Sequence, residues 1–219
     1  MSEKNSKPNP TAPTRLILVR HGEVEVSYHK IFGGKIDMNL SPRGHDQAKA
    51  LAAFLRGNKL DAIYASPMKR VQQTLAPVLE NGAPPQKILR DLREVDFGDW
   101  TGMNWEQVCE KFNLFTHEWL DHIERGVAPN GETGPQLRAR VEPIIRDIVK
   151  NHAGQTVGVF CHGGVIRMIL SILLKLPLPR TNMFEIEYAG VTQIALHPQH
   201  AEIELLNFTP WRDLPDDRQ

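Results

Sequence analysis

The stretch Leu16-Ile17-Leu18-Val19-Arg20-His21-Gly22-Glu23 decides the reading of this chain. Four apolar residues of strand character run directly into Arg, His and Gly. A short, fully apolar run of this kind reads as a buried strand. Whatever follows it is aimed into the crevice at the carboxyl edge of an open α/β sheet, where such sheets bind ligands. Here the strand delivers a fixed cation, Arg20, beside an imidazole, His21, and Gly22 lets the backbone turn and a ligand come close. A neutral imidazole is a nucleophile, and a guanidinium beside it neutralises an anion. The pair suggests attack on a phosphoryl group. Taken alone, the same residues describe a strand end with an ion-paired Arg and a satisfied His.

Working outward, strand–turn–helix units follow one another. A strand over 15–19 precedes a long loop over 24–39 and a helix opened by Ser41, with Pro42 at its first position. A short strand over 61–65 leads to Ser66-Pro67, which repeats that start signal and predicts a second helix to about residue 79. This alternation predicts a three-layer α/β/α sandwich with a mostly parallel central sheet. A third strand is expected over 86–89. Short helices over 105–111 and 115–123 fall in a helical insertion at about 100–134. A long helix over 136–150 carries Leu137, Val141, Ile144, Ile145 and Ile148 at helical spacing. A buried strand over 156–161, a helix over 165–174, and strands over 183–188, 191–196 and 203–206 complete the chain.

The 219 residues suit one domain over 14–219 with a full core. Residues 1–13 are polar with three prolines and read as a disordered tail without a signal sequence. Lys plus Arg and Asp plus Glu both number 26, so net charge draws the chain neither to nucleic acid nor to an anionic membrane. No apolar run is long enough to span a bilayer. Two cysteines, Cys109 and Cys161, suggest no disulfide framework and fit a reducing cytoplasm. Cys161 reads as a buried, inert thiol. A thiolate nucleophile beside His162 is disfavoured, because adjacent strand residues face opposite ways. The sequons at Asn39 and Asn207 read as chance.

Four separated pieces carry a resemblance: Leu18-Val19-Arg20-His21-Gly22-Glu23, Ser66-Pro67-Met68-Lys69-Arg70, Leu92-Arg93-Glu94-Val95-Asp96-Phe97-Gly98 and Cys161-His162-Gly163-Gly164. In this order they resemble the histidine phosphatase superfamily, whose fold is phosphoglycerate mutase-like. The resemblance implies His21 as nucleophile, Arg20 and Arg70 as phosphate clamps, His162 on the phosphoryl oxygens, and Glu94 as the acid and later the base. Gly22, Ser27 and Gly163 are the implied substrate-binding positions, the Gly163 N–H lying at a helix amino end. Surrounding cations should keep His21 unprotonated. By themselves, Arg70 could be a solvated helix-face charge and His162 a core histidine. Asp96 rivals Glu94, since an i, i+2 pair in an extended segment points one way. Val24 and Ser27 depart from the family's usual Ser or Thr and Asn, and Ser27 still offers one hydrogen bond.

The scheme needs no metal and no cofactor. In His117-Glu118-x-x-x-His122 the histidines are five apart, unlike the zinc-protease spacing, and read as part of a solvated helix. Glu94 and His162 are only 68 residues apart, and the insertion has no Arg-Arg pair. Mutases of that superfamily carry a longer insertion with paired arginines there, so the resemblance implies a phosphomonoesterase over a mutase. Leu92 to Gly102, Gly34-x-x-Asp37 and Gly131-Glu132-Thr133 resemble the α-ribazole and broad-specificity phosphatase branch. A mutase, or a phosphate-binding module without turnover, are the alternatives. The expected partner is a small phosphomonoester, with no nucleic acid or membrane; a homodimer is left open.

Overall fold

The computed structural model describes residues 12–114 and 118–214. The chain runs β1 (Thr14–Arg20), α1 (Pro42–Arg56), β2 (Ala62–Ala65), α2 (Lys69–Glu80), β3 (Gln86–Ile88), α3 (Trp105–Phe112), α4 (Trp119–Arg125), α5 (Gly134–Asn151), β4 (Thr156–Cys161), α6 (Gly163–Leu173), β5 (Val191–Leu196), β6 (Ala201–Phe208) and α7 (Pro210–Asp213). The six strands form one sheet in the order β3-β2-β4-β1-β5-β6. The first four in that order are mutually parallel, and β5 and β6 close the edge antiparallel.

β1 divides the core in two, as the period of a strand requires. Leu16 and Leu18 pack in one cluster with Leu137, Val141 and Ile145 of α5 and Val165 and Ile169 of α6. Ile17 and Val19 pack in the other with Leu51 and Leu55 of α1 and Val71 and Leu75 of α2. Both faces are covered, which is why β1 reads as an unbroken apolar run. Helices therefore lie on both sides of the sheet, as the sequence predicts.

The helix starts show which local signals survive folding. Ser41 caps α1 by accepting from Gly44 N at 2.9 Å, with Pro42 in the first turn. Thr133 caps α5 in a capping box with Gln136. Ser66 does not start α2: that helix begins at Lys69 behind Met68, and Ser66 Oγ is turned toward His162 instead. Nor is residues 183–188 a strand. A 3-10 turn spans Leu178–Met183 and irregular chain follows. Its carbonyls at Thr181, Phe184 and Ile186 are taken by the guanidinium groups of Arg167 and Arg20 rather than by a neighbouring strand. The expected helix over 115–123 is α4 from Trp119, and residues 115–117 lie outside the described part. The predicted tail is likewise outside it as far as residue 11.

Candidate active site

β1 and β4 are neighbours in register, Arg20 opposite Cys161. The residues that follow each strand, His21 and His162, therefore leave the sheet side by side. Their rings meet edge to face with centroids 5.3 Å apart. His21 N–H donates to the Cys161 carbonyl at 3.2 Å, and the His21 carbonyl accepts from Ala189 N at 3.0 Å, so its backbone is pinned on both sides. Its Nδ1 lies 2.8 Å from the Gly22 carbonyl. A carbonyl only accepts, so Nδ1 holds the ring proton and Nε2 keeps a free lone pair. Burial first, then the charges of Arg70 and Arg20, hold the His21 pKa well below the ordinary imidazole value.

Gly22 is required by a close backbone approach. A Cβ there would sit 2.8 Å from the Gly44 carbonyl, at the start of α1. Gly22 N also donates to Thr74 Oγ1 of α2 at 2.8 Å.

Arg70 is almost wholly buried on the first turn of α2. Its guanidinium donates to Ile36 O at 2.7 Å and Gly34 O at 3.3 Å, so the loop after β1 holds it. Its Nε donates to His162 Nδ1 at 3.2 Å. Nδ1 must then be unprotonated, and His162 Nε2 donates to Ser66 Oγ at 2.8 Å. Burial, then Arg70, pushes the His162 pKa well below its usual value. Arg20 donates to Ile186 O at 2.6 Å and lies over the Tyr188 ring, 4.1 Å from its centroid. Its Nε is buried without a hydrogen-bond partner among the described residues.

Glu94 and Asp96 part company. Glu94 accepts from Val95 N at 3.0 Å and from Gly164 N, in the first turn of α6, at 3.3 Å. A Cβ on Gly164 would fall 2.7 Å from Glu94 Oε1, so only glycine admits the carboxylate there. Glu94 lines the same cavity as Arg20, His21 and Arg70. Asp96 instead pairs with Lys35 at 2.5 Å and is absent from that cavity; it lines an adjoining groove of about 920 Å³, whose wall Glu94 and Gly34 share. The parallel side-chain direction expected for an extended i, i+2 pair fails because 3-10 turns flank this segment.

The cavity has a volume of about 290 Å³. Gly163 lines it, as expected. Ser27 does not; it is exposed in the 3-10 turn Val26–Tyr28, while Tyr28 beside it faces the cavity. Sequence reasoning missed Arg167 on α6 and the apolar and aromatic wall of Phe32, Phe97, Trp119, Ile186 and Tyr188. Arg167 is held at a pKa of about 10, by burial and then by Arg20, and stays charged at neutral pH. The signal that could have found it is its place one helical turn past Gly163, on the face of α6 turned toward His162.

Elsewhere, Cys161 is fully buried and burial pushes its thiol pKa up, as expected of an inert thiol. His122 is not on a solvated helix face: it is buried and stacks on Trp105, while His117 lies outside the described residues. His197, His200 and Glu202 do come together, their ligand atoms within 4.8 Å, although the sequence suggested no such set. They sit at the β5–β6 turn. β5 runs antiparallel to β1, so this turn lies at the opposite end of the sheet from His21.

Known proteins share the sequence and fold of this chain. Phosphoserine phosphatase 1 of Hydrogenobacter thermophilus is 33% identical over 89% of this chain and 92% of its own length. A 2,3-bisphosphoglycerate-dependent phosphoglycerate mutase of Brucella anthropi is 34% identical over 72% of this chain and 80% of its own. The solved structure of an Escherichia coli protein described as an alpha-ribazole-5'-P phosphatase superposes with a TM-score of 0.79 at 26% identity, covering 90% of this chain and 97% of the other. No described helix is long and apolar enough to cross a membrane. Residues 16–209 match the histidine phosphatase superfamily, branch 1, and the chain belongs to that superfamily as a phosphomonoester hydrolase.

Proposed function

We propose that this hydrolase is metal-independent and works through a phosphohistidine on His21, acting on a small metabolite such as an α-ribazole phosphate-like or sugar phosphate. The observation that carries the reading is the His21 ring: its one proton is committed to Gly22 O, and burial among guanidinium groups keeps Nε2 unprotonated. Among the described residues Arg20, Arg70 and Arg167 give the cavity three cations, which with Glu94 in its acid form suit a phosphoryl dianion.

In the first step His21 Nε2 attacks phosphorus, the P–O ester bond breaks, and protonated Glu94 gives its proton to the leaving alkoxide. Arg20, Arg70 and Arg167 carry the charge that spreads over the equatorial oxygens, while His162, which lies behind the cavity wall with both ring nitrogens bonded, holds Arg70 in place. In the second step Glu94, now a carboxylate, takes a proton from water as that water attacks phosphorus. The P–N bond breaks, its electron pair returns to His21 Nε2, and inorganic phosphate leaves.

Among the described residues the leaving-group wall is apolar and aromatic, and Glu94 is its one carboxylate. Among those same residues a substrate ammonium would find no second acid in this cavity to pair with. This favours a ribazole-like or sugar alcohol over an amino-acid leaving group. The test is rapid quench with a ³²P-labelled phosphomonoester, beside a substrate panel that includes phosphoserine and 3-phosphoglycerate with a bisphosphate primer. An acid-labile, base-stable label on His21, absent in His21→Ala, is expected. Label on another residue, or none, overturns the covalent route; phosphoryl transfer to 3-phosphoglycerate in preference to water would make the protein a mutase.

A further inference from the structure

The segment carrying Glu94 lies outside the sheet and the α-helices. Residues 93–97 run between two 3-10 turns, Arg90–Leu92 and Gly98–Trp100. Carbonyls in such a stretch need partners from elsewhere. One side chain supplies two of them. Arg140, on the second turn of α5, donates to Asp91 O at 2.5 Å, to Arg93 O at 2.9 Å and to Glu94 O at 3.2 Å. The same guanidinium makes a two-pronged pair with Glu132, Nε to Oε1 at 2.6 Å and Nη2 to Oε2 at 2.8 Å. Glu132 then closes the circuit from the other side: its Oε2 accepts from Asp96 N at 3.3 Å, and its own N–H donates to Asp96 O at 2.7 Å.

The packing leaves this segment little room to move. Gly98 has φ +50°, and a Cβ on it would lie 2.2 Å from Pro129 O. A Cβ on Gly131 would lie 3.1 Å from Asp96 O. Both chains approach backbone to backbone, and the Arg140–Glu132 pair is locked across the contact, each partner about 14% and 13% exposed.

We propose that Arg140, held by Glu132, is the positioning residue of the general acid: it fixes the backbone on either side of Glu94 so that the carboxyl group faces the scissile oxygen. Neither residue lines the cavity that holds His21. The pair acts through Glu94 and leaves phosphate binding to Arg20, Arg70 and Arg167. Arg suits the task because its planar fork donates in several fixed directions at once, which an ammonium cannot do. This proposal rests on the role given to Glu94 above.

The test measures pre-steady-state bursts of Arg140→Lys, Glu132→Gln and Glu94→Gln on an alkyl phosphate and on p-nitrophenyl phosphate, with inorganic phosphate affinity alongside. A basic alkoxide needs the proton and p-nitrophenolate does not. Misplacing the acid by about 1 Å should cost on the order of 10²-fold on the alkyl substrate. The aryl burst and phosphate affinity should stay near wild type, and Arg140→Lys should add nothing in the Glu94→Gln background. Equal losses on both substrates, weakened phosphate binding, additive losses in the double variant, or no change at all would overturn the clamp. Should Arg140→Lys fail to fold, Glu132→Gln, which keeps the side chain's shape but turns one acceptor oxygen into an NH2 donor and so breaks the two-pronged pair, is read by the same criteria. If Glu94→Gln itself shows no leaving-group dependence, the acid assignment fails and the proposal with it. If Glu94→Gln is selective and the clamp variants are not, only the clamp fails.

Discussion

Two buried imidazoles should make this protein acid-sensitive in a window where carboxylates contribute little. His21 is 6% exposed and His162 is fully buried, and for both the leading cause of a lowered pKa is burial, followed by Arg70. A neutral ring is therefore favoured in the folded state, while the unfolded chain takes up a proton near the ordinary value of about 6.5. The sign follows: below that value the unfolded state binds more protons, so stability falls as pH falls. Between pH 7.5 and 5.5 each such histidine costs about 1.4 kcal/mol, or about 2.7 kcal/mol for the pair. The carboxylates held low by partners, Glu142, Glu204 and Asp213, lose their contribution only on further acidification, below their unfolded values, so the upper window belongs to histidine. The assay is urea unfolding at pH 7.5, 6.5 and 5.5 for the wild type, His21→Gln and His162→Gln. Each variant should lose about half of the pH slope, whatever its absolute stability. A wild-type slope that is flat over this range, or one that both variants retain in full, would refute the neutral, buried reading of the two rings.

Three further outcomes are expected. Gly164→Ala places a methyl against Glu94 Oε1 and Val95 Cγ2, so alkyl phosphate turnover should fall by about 10-fold or more while urea stability changes by less than about 2 kcal/mol; unchanged turnover would show that the carboxylate does not need this place. Arg70→Lys keeps a charge but cannot hold Ile36 O, Gly34 O and His162 Nδ1 together, so kcat/KM should drop by roughly 10²-fold or more, read by steady-state kinetics; near wild-type kinetics would contradict the clamp role. Turnover should be unaffected by EDTA, because the cationic side of the reaction is supplied by guanidinium groups and the His197–His200–Glu202 set lies at the far end of the sheet. Loss on chelation with recovery on adding a divalent ion would overturn this.

The sequence alone determined the elements whose signals are local. The apolar run of β1 must be buried on both faces, so a sheet with helices on each side follows from it. Ser41-Pro42 names the start of α1 because the cap and the amide it serves, Gly44 N, are only three residues apart. The aligned ends of β1 and β4 put His21 and His162 together, and a repeated strand–His–Gly pattern announces this. Local signals fail where a distant side chain takes a group that the local pattern had assigned. Ser66 looks like a cap, but its hydroxyl belongs to a histidine 96 positions away. Residues 183–188 alternate like a strand, yet Arg20 and Arg167 take the carbonyls that a strand would give its neighbour. Glu94 could be told from Asp96 in the sequence only through resemblance. The fold separates them physically, since Gly164 opens space for one carboxylate and Lys35 holds the other outside. Arg140 is 46 positions from Glu94 and carries no local mark of its task. A guanidinium finds its carbonyls only when α5 has docked on the sheet, and that docking is a property of the tertiary structure.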